Sequence, residues 1–81
     1  MIKLYYFAAL VDELGTAYEE IELPPKTATV ADLLALLRAR GGQWEKTFAT
    51  GLMRITVNKR FAETGTPIAD GDEIAFVSVR C

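Results

Sequence analysis

Apolar residues fall into two unlike patterns along this chain, and the contrast predicts where its strands and its helix lie. At Ile2–Phe7 and again at Ile74–Val79 the run is apolar at both parities. Leu4 and Tyr6 would share one face of the first strand, with Tyr5 and Phe7 on the other. Ile74 and Phe76 would share one face of the last strand, with Ala75, Val77 and Val79 opposite. A half-exposed strand alternates apolar with polar, so each of these strands needs cover on both sides. Between them the period changes. Val30, Leu33, Leu34 and Leu37 recur at i, i+3, i+4 and i+7, which predicts one amphipathic helix with all four residues in the core. Thr29 and Asp32 form a capping box at its start, Arg38 and Arg40 suit its C-terminal dipole, and Gly41-Gly42 ends it as a C-cap.

The remaining elements are shorter. Ala8–Leu14 carries a weak helical pattern stopped by Gly15, and Tyr18–Leu23 reads as a strand pairing back on the first before Pro24-Pro25 ends it. Trp44 and Phe48, at i and i+4, mark a second helix closed by Gly51. Arg54–Val57 reads as a strand turned by Asn58, and Phe61–Ile68 reads as irregular, with Gly65 and Pro67 as breakers. The expected fold class is therefore α+β, a mixed four- or five-stranded sheet with one main helix on one face and the N- and C-terminal strands adjacent in its middle.

That packing leaves a face uncovered. One helix buries Leu4, Tyr6, Ile74 and Phe76, whereas Tyr5, Phe7, Ala75 and Val77, joined by Phe61 from the loop, have nothing to lie against. An apolar patch of several hundred Å² on a small protein marks an interface. The alternative is that the 61–68 loop folds over it.

Composition narrows the possibilities. Eighty-one residues with 51% hydrophobic content suit one compact domain, 1–81. A net charge of −2 with scattered Lys and Arg gives no basic stripe, which argues against nucleic acid. No apolar run reaches the roughly 18 residues of a membrane span. One cysteine and no secretory cleavage pattern fit a cytoplasmic protein.

The chemical inventory is thin. Histidine is absent, Ser78 is the only serine and Cys81 the only cysteine, so a self-contained acyl-transfer site cannot be assembled and no catalytic residue is assigned. Asp70, Asp72 and Glu73 lack Ca²⁺-loop spacing and read as turn formers, so no metal site is expected. Asp12-Glu13 and Glu19-Glu20 read as solvated charge. Cys81 beside Arg80 is either a reactive thiol or a frayed end.

Taken in order, Met1–Ala8, the Glu13-Leu14-Gly15 stop, the Val30-Ala31-Asp32-Leu33 helix, Val57-Asn58 and Asp70–Phe76 resemble the MoaD family, the small subunits of molybdopterin synthase, along nearly the whole chain. The resemblance implies a β-grasp, ubiquitin-like fold and a sulfur carrier with no bound cofactor. In that family an E1-like enzyme, MoeB, which binds the ATP, adenylates the C-terminal carboxylate. The carboxylate becomes a thiocarboxylate and enters the large subunit, MoaE, within a heterotetramer, where sulfur passes to precursor Z. By position the family's partner surface falls on Phe7, Phe61 and Val77, within the patch reached above from parity alone, and the chain end Val79-Arg80-Cys81 would lead into the partners.

The family ends in Gly-Gly, and here Cys81 falls where the residue before that pair should stand. A thiocarboxylate is therefore expected only on a form extended by Gly-Gly. Two other readings remain: a ThiS-type carrier outside molybdopterin synthesis, and a ubiquitin-like module that docks through the same patch without chemistry at its tail.

Overall fold

A computed structural model describes residues 1–49 and 53–78. The elements in chain order are β1 (Ile2–Phe7), α1 (Ala9–Leu14), β2 (Tyr18–Ile21), α2 (Val30–Arg38), α3 (Gly42–Ala49), β3 (Met53–Val57), β4 (Arg60–Ala62) and β5 (Glu73–Ser78). The strands form one mixed sheet in the order β2-β1-β5-β3-β4, with β1 and β5 parallel at its centre and the other neighbours antiparallel. This is the β-grasp arrangement, and the two strands with apolar residues at both parities are its middle pair.

The parity reading holds on the helical side. Ile2, Leu4 and Tyr6 of β1, Ile74 and Phe76 of β5 and Ile55 of β3 are buried in one cluster with Val30, Leu33 and Leu37 of α2. The cover is a layer of three helices, not one. α1 inserts Leu10, and α3 inserts Phe48, whose ring stands edge-on to Phe76 at 5.4 Å. Tyr6 stacks on Phe76 at 5.6 Å and meets Trp44 edge-on at 5.5 Å, so the short helices seal the end of the sheet that α2 does not reach. Leu34 is a correction: it is only partly buried, because the arc of α2 that faces the sheet is centred on Val30, Leu33 and Leu37.

Local chemistry sets the element ends. The Thr29 hydroxyl accepts from the Asp32 amide, and the Asp32 carboxylate accepts from the amides of Thr29 at 3.2 Å and Ala28 at 3.0 Å. Gly15, at φ +76°, donates its amide to the Val11 carbonyl and closes α1 in the left-handed conformation that a Cβ disfavours. Gly41-Gly42 does not cap α2 as expected. The cap is Ala39, and the pair instead forms the corner between α2 and α3, with Gly42 already the first residue of α3. Gly51, expected to close α3, lies outside the described residues.

Arg40 departs from its expected place at the helix dipole. Its guanidinium bonds both oxygens of Glu19, at 3.1 and 2.5 Å, and lies over the Trp44 ring at 4.4 Å. Glu19 is thus not a solvated charge: it ties β2 to the α2–α3 corner. The Tyr6 hydroxyl is buried nearby, and burial followed by the Glu19 charge holds its ionisation well above the ordinary range.

The 61–68 stretch is the largest departure. Asn58 and Lys59 both take left-handed φ, 53° and 71°, and form a two-residue hairpin turn, so Arg60–Ala62 pairs with β3 as a strand. The signal was weak because the turn reads Asn-Lys, not Asn-Gly. The chain beyond it does not cover the open sheet face. Thr64 and Thr66 offer their carbonyls to the Ala31 and Val30 amides at the start of α2, Pro67 bridges to Thr29, and Ile68 enters the core. These bonds satisfy helix donors that would otherwise lack partners.

Candidate functional site

The face of the sheet away from the helices carries every second residue of five strands, and cross-strand register sorts them into rows. One row runs Tyr18, Tyr5, Ala75, Thr56, Phe61 from β2 to β4. The next, toward the ends of β1 and β5, runs Phe7, Val77, Arg54. Nothing among the described residues lies over these rows. Phe61 is 77% exposed, Phe7 47% and Tyr18 43%, while Tyr5, Ala75 and Val77 are half-buried by their neighbours in the sheet.

Aromatic contacts order this surface. Tyr5 stacks with Phe7 at 6.5 Å and leans against Tyr18 at 5.1 Å. Phe7 and Tyr5, with Thr56, Lys59, Glu73 and Ala75, line a groove of about 340 Å³ along the middle of the face. The groove is apolar at the Phe7 and Ala75 end and charged at the Lys59 and Glu73 end. An apolar stretch with a charged rim at one end is a layout that protein interfaces share.

The hydroxyls point toward that rim. Tyr5 donates to Glu73 at 3.3 Å, and Tyr18 donates to Glu20. Donation to Glu20 pushes the Tyr18 hydroxyl up to about 12, with lost hydration and the Glu20 charge acting in the same direction. Tyr18 is therefore a neutral donor at ordinary pH, and each hydroxyl holds its carboxylate in place. Below them the Asp70-Gly71-Asp72 turn is built as expected. Gly71 takes φ +91°, and Asp72 accepts from the Ala69 amide at 2.8 Å and from the Asn58 side chain at 3.0 Å. These carboxylates hold a turn that starts β5. Among the described residues no group of three or more His, Cys, Asp or Glu side chains is placed to hold a metal. Among the same residues no helix is long and apolar enough to cross a membrane.

Of the residues read from sequence as the partner surface, Phe7, Phe61, Tyr5, Ala75 and Val77 come together on this one face. Val79, Arg80 and Cys81 lie outside the described residues. Tyr18 and Arg54 were missed. The only signal for either was parity within its own strand, which cannot say which residue of another strand stands beside it.

Comparison with known proteins places the chain and its fold. The sequence pattern of the ThiS family matches residues 4–81. A molybdopterin synthase sulfur carrier subunit from Escherichia coli (strain K12) is 30% identical over 76 residues, which are 94% of this chain and 91% of that protein. SAMP1 from Haloferax volcanii superposes with a TM-score of 0.78 at 24% identity, over 95% of this chain and 92% of its own. A chain from the protein–protein complex of subunits 1 and 2 of molybdopterin-converting factor from Helicobacter pylori 26695 superposes with a TM-score of 0.67 at 18% identity, over 99% and 95%. At those two identities the likeness is one of fold.

Proposed function

This chain belongs to the ThiS family of ubiquitin-like sulfur carriers, and from that premise we propose that it is the small subunit of a molybdopterin synthase, working in the cytoplasm. The observation that carries the proposal is the open face itself. Phe7 and Val77 stand side by side at the end of the sheet where β1 and β5 finish, so a partner covering them also takes hold of the chain just before its terminal residues. The 30% identity to a carrier subunit of that enzyme supports this pathway among those open to the family.

In this reading the chain has no active site of its own. The reacting group is the C-terminal carboxylate of a form extended by Gly-Gly. An E1-like partner of the MoeB type, which binds ATP, joins the carboxylate to AMP with loss of pyrophosphate. A sulfur donor then displaces AMP and leaves a thiocarboxylate. A large subunit of the MoaE type next docks on the same face, forming a heterotetramer, and takes the sulfur into the dithiolene of molybdopterin. A complex of two subunits is what the Helicobacter pylori structure describes for its own chains, and the exposed Phe7 and Phe61 rings supply anchors for such a complex here.

The test is binding and transfer together. A purified large subunit of molybdopterin synthase is titrated with the chain by calorimetry, and the carrier, extended by Gly-Gly and thiocarboxylated, is assayed for molybdopterin formation. Saturable binding with product formation supports the proposal. Binding without product, under conditions where the Escherichia coli carrier gives product, supports the docking-module reading instead.

A further inference from the structure

The open sheet face is electrostatically lopsided along the strand direction. At the end where β1 and β5 begin, Lys3 stands in register between Glu20 of β2 and Glu73 of β5, so charges of both signs lie in one row there. At the end where β1 and β5 finish, the cation is Arg54. It is in register with Val77, which is in register with Phe7. Arg54 is exposed, and among the described residues its guanidinium enters no ion pair. Its neighbour is the Phe61 ring, whose centroid lies 5.8 Å from Cζ. Glu63 lines the same shallow groove without pairing to it.

A guanidinium resting on an aromatic ring keeps its fork of N–H donors in its own plane, free for a carboxylate. The ring also restricts the side chain before any partner arrives, so less freedom is lost on binding. Covering Phe7, Phe61 and Val77 with an apolar surface would strip water from Arg54 as well. An unmatched charge there would weaken the complex, which a fitting surface avoids by supplying a counter-charge. We infer that Arg54 is a specificity-determining residue of the docking face: the protein that covers Phe7, Phe61 and Val77 presents a carboxylate to Arg54. The inference rests on the carrier reading above and adds to it the chemistry of the partner's surface.

The test measures affinity of the large subunit of molybdopterin synthase for the unchanged chain and for Arg54→Ala, Arg54→Lys, Arg54→Glu and Phe7→Ala, each at low and at high salt. A charged pair at the edge of an interface acts through both affinity and its salt dependence. The expected result is a loss of about tenfold for Arg54→Ala, a larger loss for Arg54→Glu, partial retention for Arg54→Lys, and a weaker salt dependence in Arg54→Ala. Melting midpoints of all three Arg54 variants should match the unchanged chain, since the side chain is outside the core. If Phe7→Ala weakens binding but the Arg54 variants bind as the unchanged chain does at both salt concentrations, the role of Arg54 is overturned and the docking face stands. If the unchanged chain does not bind, the docking reading falls and this inference with it.

Discussion

Phe7 and Val77 stand opposite each other across the parallel pair β1–β5, one residue beyond Tyr6 and Phe76, which stand opposite each other on the other face. Tyr6 and Phe76 are wholly buried under α1 and α3, whereas Phe7 is 47% exposed. A step of one residue therefore separates the core of this protein from its open sheet face. The two pairs should respond to truncation in opposite ways.

Phe76→Ala should destabilise the fold by about 3–5 kcal/mol, because it removes a ring packed against Tyr6 and Phe48 and leaves a cavity. Phe7→Ala should leave the melting midpoint nearly unchanged and weaken partner binding by more than about 1 kcal/mol. Paired thermal melts and calorimetric titrations separate the two. A collapse of stability in Phe7→Ala would place that ring in the core and remove the basis of the docking face.

Within α2 the burden falls on one leucine more than on its neighbour. Leu33 is fully buried and Leu34 only partly, so Leu33→Ala should cost about 2–5 kcal/mol and Leu34→Ala distinctly less. Denaturant midpoints of the two variants, measured side by side, check the order. Equal losses would mean that the helix sits rotated from the position described.

The capping box gives a pH dependence with a defined sign. Backbone donation from Ala28, then from Thr29, holds the Asp32 carboxyl below its ordinary value of 3.8. A carboxyl lowered in the folded state adds stability that is complete above the unfolded value and is lost as pH falls through the lower folded one. The melting-midpoint gap between the unchanged chain and Asp32→Asn should thus be constant from neutral pH to about pH 5 and close below 3.8. A gap that persists undiminished at pH 2 would mean the carboxylate charge is not what the cap uses. Thr29→Ala removes the other half of the box and should cost about 1 kcal/mol at every pH.

Sulfur loading should depend on the residues beyond Cys81. Of two forms, one ending at Cys81 and one carrying Gly-Gly after it, only the second should exchange a carboxylate oxygen for sulfur when incubated with the adenylating enzyme, ATP and a sulfur donor. Glycine lacks Cβ and can be threaded into a confined site, and two further residues add about 7 Å of reach. Intact-mass measurement reads the exchange directly. Equal loading of both forms would show that the added glycines are not needed.

Much of this protein follows from its sequence because the information is local. Period-two and period-3.6 patterns depend only on how side chains project from a strand or a helix. Hence β1, β5 and α2 could be read from Leu4, Tyr6, Ile74, Phe76, Val30, Leu33 and Leu37, although the same period also put Leu34 in the core, where it is only partly buried. The Thr29–Asp32 box and the Gly15 stop are local for the same reason. The surplus apolar parity of Tyr5, Phe7, Ala75 and Val77 announced an uncovered face. Tertiary structure alone decided what lies beside what. Register places Arg54 next to Val77 and Tyr18 next to Tyr5, and register is a property of two strands at once. Arg40 reached Glu19 instead of its own helix end because folding brought β2 within the length of its side chain. Phe61 became part of a strand because Asn58 and Lys59 accepted left-handed angles that β5 holds in place through Asn58 and Glu73. Each of these outcomes turns on residues distant in the chain meeting in space, and no pattern within a single segment encodes that.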